Sequence, residues 1–145
     1  MIHNNKRAIF FLSLLGFIFM VSLLIFLVSV QEKRFVVFFE SYDEPGLFTE
    51  VRMIKKEKTL DYLNFYLEEL LLGPINIRYK AIFPKDSSLI SYVLRDNLLY
   101  ITVRSENAKI KELDTEKIHT LALKNISRNF KYIKDLRIFI NGFEI

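Results

Sequence analysis

Two histidines, His3 and His119, are the only side chains whose ordinary titration falls near neutral pH. His3 lies in a short N-terminal stub. His119 stands beside an apolar helical stripe with Leu123 four residues on, so it has no i, i+4 ligand partner and reads as a structural, helix-edge histidine. Glu68 and Glu69 are adjacent in the first amphipathic helical pattern, upstream of His119. Neighbours on a helix point about 100° apart, which does not make a paired-carboxylate acid/base site. Ser87 and Ser88 follow the Pro84 turn without the G-x-S-x-G context that exposes a nucleophile, and turn chemistry accounts for them. Asn125-Ile126-Ser127 matches a glycosylation acceptor but falls inside a helical stretch.

The chain has no cysteine, which excludes disulfides, thiolate zinc sites, a cysteine nucleophile and a lipidated cysteine. Its four glycines are scattered, so there is no phosphate-cradling loop. The sequence therefore predicts no catalytic residue, no cofactor and no metal, and points away from an enzyme. With 21 Lys+Arg against 17 Asp+Glu, it carries no basic footprint of the kind that binds nucleic acid.

The elements that position everything else begin with residues 8–30, AIFFLSLLGFIFMVSLLIFLVSV, which hold no charge. A helix of that length spans ~34 Å, enough to cross a bilayer's hydrocarbon layer of ~30 Å. The run exceeds the roughly 7–15 apolar residues of a cleaved signal peptide, and no A-x-A-like site follows it. It reads as an uncleaved signal anchor, with residues 1–7 in the cytoplasm and 31–145 outside the cytoplasmic (inner) membrane, in the periplasm of a two-membrane cell. The lysines and arginines are level on its two sides (Lys6 and Arg7, Lys33 and Arg34), so charge biases this orientation only weakly.

Beyond the anchor the periodicity alternates. Residues 34–40 (RFVVFFE) form an apolar, aromatic strand, and 41–47 (SYDEPGL) a loop. Residues 48–55 alternate, with Phe48, Glu50, Arg52 and Ile54 on one face and Val51 and Met53 on the other. An amphipathic helix follows, with Thr59 as N-cap, Asp61 in its first turn, a stripe of Leu60, Leu63, Leu67, Leu70 and Leu71, and Gly73-Pro74 as its stop. Strands 89–94 and 98–103 flank an Arg95-Asp96-Asn97 turn. A second helix is capped by Asp114 or Thr115, with a stripe of Ile118, Leu121, Ala122, Ile126 and Phe130. Strand 136–140 closes the chain before Asn141-Gly142. This order predicts an α+β fold, a small mixed β-sheet with two amphipathic helices packed on one face, preceded by one transmembrane helix.

The pattern resembles the GerMN domain family of bacterial sporulation and spore-germination proteins. The motif residues are Leu72-Gly73-Pro74 at the helix end, Pro84 in the following turn, and the closing strand that ends in Asn141-Gly142. Asp86 stands where the family usually has Gly, Asn97 where the hairpin usually has Gly, and Asn141 where an acidic residue is common; all three keep turn chemistry. The resemblance covers residues 34–144, with room for one copy. It implies a membrane-attached, extracytoplasmic, non-enzymatic domain, similar in architecture to the ring-building modules of secretion and sporulation complexes.

Three functions follow. The first is an interaction or assembly module, with other envelope proteins or a second copy as partner, exposing an aromatic patch around Phe48, Tyr62, Phe65 and Tyr66. The second is a wall- or small-ligand-binding domain that uses Tyr79, Tyr92 and Tyr100. The third, a hydrolase, would need clustered titratable groups in a cleft.

Overall fold

The computed structural model describes residues 2–28, 32–55, 61–106 and 108–145. By contact the chain divides into two units, residues 1–32 and 33–145. The first is built on helix α1 (Ile2–Val28). Within it, Ala8–Phe26 is long and apolar enough to cross a membrane, at a mean hydropathy of 2.8. The last two positions of the expected anchor, Ser29 and Val30, lie outside the described residues.

The second unit is α+β, as the periodicity predicts. Strands β1 (Glu32–Ser41) and β2 (Leu47–Lys55) precede helix α2 (Tyr62–Leu72) and the two-residue strand β3 (Tyr79–Lys80). The hairpin β4 (Ser87–Arg95) and β5 (Leu98–Ser105), a 3-10 turn at Ile110–Glu112, helix α3 (Thr115–Asn129), β6 (Asp135–Ile140) and β7 (Phe143–Glu144) complete it. The strands divide into two sheets, β2-β1-β3 and β4-β5-β6-β7, rather than forming one. β5 and β6 run parallel, and the chain returns between them through α3. The short strands β3 and β7 and the 3-10 turn carry too few residues to show a period.

Period-two alternation builds the core. Leu99, Ile101 and Val103 of β5 stand opposite Leu136, Ile138 and Ile140 of β6, and all six are buried. Each such side chain contributes about 1.5–3 kcal/mol on leaving water. α2 adds Leu63, Tyr66, Leu67, Leu70 and Leu71, and α3 adds Ile118, Ala122 and Ile126. Phe35, Tyr66 and Phe130 meet ring to ring, with centroids 5.3–5.8 Å apart.

The caps differ in one place from the expectation. Asp61 is the N-cap of α2 rather than a first-turn residue, its carboxylate accepting the Leu63 and Asn64 N–H at 3.0 and 3.1 Å. Thr59 and Leu60, expected in the cap and stripe, lie outside the described residues. Asp114 caps α3 through the Lys117 N–H. Among the described residues, three non-glycine residues have positive φ, Asp86 (63°), Asp96 (55°) and Asn141 (50°), each at a turn the sequence marks.

Candidate functional site

The motif loop after α2 is held by an ion pair on β2. Arg52 lies 2.9 Å from Glu50 and donates to the Gly73 carbonyl at 2.9 Å. The Glu50 carboxylate accepts the Ile75 and Asn76 N–H groups at 3.0 and 2.9 Å. Glu69, on α2, lies 3.6 Å from the Arg52 Nε. Gly73 adopts φ +84°, and a Cβ there would come within 3.3 Å of the Ala81 Cβ. Pro84 accepts a bond from the Ser87 hydroxyl at 2.6 Å, and Gly142 takes φ +87° in the β6–β7 turn.

This fixed loop presents apolar side chains to solvent. Leu72 is 77% exposed, Ile75 74% and Ile77 92%. Leu71 and Leu72, with Glu68, form one wall of a 290 Å³ cleft whose other wall is Ser87, Ser88 and Leu89. Those three residues open β4, the outer strand of its sheet. β4 holds a single charged residue, Arg95 at its end, and a register irregularity between Leu89 and Ser91. Ile90 is 53% exposed and Val93 58%. A nearly uncharged outer strand of this length offers unpaired main-chain groups to another strand.

The expected aromatic patch is not assembled. Tyr66 is completely buried, and its hydroxyl donates to the Asn125 carbonyl at 3.0 Å. It faces the core because it falls on the stripe of Leu63, Leu67 and Leu70. Phe65 and Tyr62 are half-buried against that core. Phe48 stacks on Tyr79, centroids 5.4 Å apart. Large apolar side chains are exposed instead on the motif loop and β4, and also at Val51 and Met53 of β2, Tyr42, Tyr132 and Phe143. The loop's isoleucines had one signal in the sequence, apolar residues with no period beside Pro74; the open edge had none.

The tyrosines proposed for ligand stacking do not share a cleft. Tyr79 belongs to the other sheet, and Tyr92 and Tyr100 face opposite sides of theirs, opposite Ile101 and Val93 respectively. The Tyr92 hydroxyl donates to Asp61. That bond raises the phenol to about 12 and, as the largest cause, lowers the Asp61 carboxyl.

Other chemistry-bearing groups are engaged structurally. His119 Nε2 donates to the Leu136 carbonyl at 2.8 Å. Lys117 pairs with Glu40 at 2.6 Å, which raises its pKa, beside a 200 Å³ hollow that includes Ile82 and Leu121. Asn125 of the glycosylation match is buried. Among the described residues no group of three or more His, Cys, Asp or Glu could hold a metal ion.

No family model matches the chain, and no curated protein matches it. Solved structures do. The tandem GerMN domains of the sporulation protein GerM from Bacillus subtilis superpose with a TM-score of 0.58 at 17% identity, over 79% of this chain and 41% of that one. The chain thus spans about two fifths of that structure's length. The first GerMN domain of the same protein superposes with a TM-score of 0.51 at 19% identity, over 76% of this chain and 85% of that one. A Clostridium perfringens protein described as a candidate lipoprotein aligns over 77% of this chain and 76% of its own, with a TM-score of 0.45 at 19% identity, too distant to carry an argument. The chain has a GerMN-like fold.

Proposed function

We propose that this is a membrane-anchored protein of the cell envelope without enzymatic activity, whose GerMN-like domain binds a partner protein by strand addition to β4. Helix α1 holds the domain at the cytoplasmic membrane, with the N-terminus inside and the domain outside. The observation behind the reading is the open β4 edge, nine residues with one charge, beside the cleft under Leu72 and the exposed Ile75 and Ile77. An added strand gains main-chain hydrogen bonds along β4, and its alternate side chains find the cleft. The partner is another envelope protein or a second copy of the chain. The envelope setting draws on the apolar helix and on the GerMN-like fold. A sporulation role is not transferred, because fold does not fix function.

Photoreactive residues at Val93 and Ile77, in the full-length protein in its own membrane, test this. The expected result is one defined adduct from both positions and none from Glu116 on α3, with the Ile77 adduct lost when Val93→Lys places a charge on the edge. No adduct from either position would contradict it.

A further inference from the structure

We infer that the end of the domain where β1 starts docks on anionic lipid headgroups of the bilayer that holds α1. This rests on the anchor reading above and adds a ligand class to it. A 510 Å³ depression there lies between the start of α2 and the end of α3. Three cations line it, Lys33, Arg128 and Lys131, and Tyr62 and Tyr132 flank them. Lys33 sits 4.1 Å from the centre of the Tyr62 ring and 5.7 Å from that of Phe130, so aromatic faces rather than a carboxylate hold its ammonium. Among the described residues no ion pair engages Arg128 or Lys131. The one acid in the lining, Asp61, is taken up by the α2 amides and the Tyr92 hydroxyl. The depression therefore presents net positive charge framed by tyrosine, the pair of side chains suited to a phosphodiester surface.

The chain's own length selects a membrane over a free anion. Lys33 follows Val28, the last residue of α1, by five residues, which at full extension reach about 17 Å. A tether this short leaves that end within reach of the headgroups without by itself seating it on them. The opposite end of β5, at Glu106, is eight residues of strand from Leu98, whose partner Asp135 adjoins Lys134. That separates Glu106 from Lys134 by about 26 Å.

The absence of native cysteine makes the test direct, since a single introduced thiol carries the label. The full chain is reconstituted in vesicles of neutral phosphatidylcholine, with or without phosphatidylglycerol, containing a headgroup-nitroxide quencher. Fluorophores are placed by Lys134→Cys or Glu106→Cys, and by Ser13→Cys as a report of insertion against an acyl-chain quencher. The expected result is quenching at position 134 in anionic vesicles only, lost in high salt and in the Arg128→Gln/Lys131→Gln variant, with none at position 106. Equal quenching in neutral and anionic vesicles, or quenching that survives the double substitution, would overturn the inference. Failure of acyl-chain quenching at position 13 would overturn the anchor reading itself, and this inference with it.

Discussion

The side chain of Asn125 pairs with the backbone of Phe38 as a neighbouring strand would. Its Oδ1 accepts the Phe38 N–H at 2.6 Å and its Nδ2 donates to the Phe38 carbonyl at 2.9 Å. One helical turn on, Asn129 repeats the arrangement with Val36, at 3.0 and 2.7 Å. Residues 36, 38, 40 and 42 present their polar groups to the same edge of β1, and β3 pairs that edge through Glu40 and Tyr42. Two asparagines of α3 thus continue the edge where β3 stops. Along Val36 and Phe38 these side chains occupy the place a further strand would take.

Replacing Asn125 with alanine leaves the Phe38 groups without partners in a buried setting. The domain is expected to lose about 3 kcal/mol, from three side-chain bonds and the unpaired groups left behind. Asn125→Asp is expected to be worse, since it sets a carboxylate against a carbonyl. Chemical unfolding of the full-length protein in detergent measures both; a loss below about 1 kcal/mol for alanine would refute the strand-substitute role.

Gly73→Ala meets two obstacles, the positive φ of 84° and the Ala81 Cβ 3.3 Å away. The expected cost is about 1–2 kcal/mol. Adding Ala81→Gly removes the contact but not the backbone strain, so the double variant should recover only part of the loss. Full recovery in thermal melts would show that the contact alone matters.

The Asp61–Tyr92 bond gives stability a dependence on pH at both ends. The Asp61 pKa is lowered, so its contribution is complete above the unfolded carboxyl value of about 3.8 and fades as pH falls through the folded one. The Tyr92 pKa is raised from 10.0 to about 12, so its contribution is complete below 10 and fades as pH rises toward 12. Tyr92→Phe should flatten the alkaline limb of a stability-against-pH curve and weaken the acid one. An unchanged alkaline limb would contradict the bond.

Glu50 holds the motif loop through two backbone N–H groups. Glu50→Ala should therefore speed hydrogen exchange at the Ile75 and Asn76 amides by tenfold or more, at about 1.4 kcal/mol per factor of ten, while the β5 amides stay protected. Unchanged exchange at Ile75 and Asn76 would show the loop held by other contacts.

Much of this fold is legible in the sequence because local chemistry decides it. The alternation in 98–103 and 136–140 places Leu99, Ile101, Leu136 and Ile138 in the core, and the Asp96 turn and the Asp114 cap lie where turn and cap residues mark them. The sequence does not say which strand is outermost, since pairing joins residues far apart in the chain; β4 reads like any other strand. Nothing in the sequence of α3 signals that Asn125 and Asn129 bond the β1 backbone, since that contact joins residues far apart in the chain. Tyr66 reads as surface because the aromatic neighbours Tyr62 and Phe65 widen the apparent apolar face, whereas the leucine stripe turns it inward.

Hydrogen exchange along β4 in native membranes tests the central claim most directly, with detergent-purified protein as the reference. The outward amides of Ser87–Arg95 should be protected in the membrane, where a partner strand covers them, and exchange quickly once purified. β5, paired on both sides, should be protected in both. Equally fast exchange of the β4 amides in both preparations would mean that the edge stays open in the cell, contradicting strand addition.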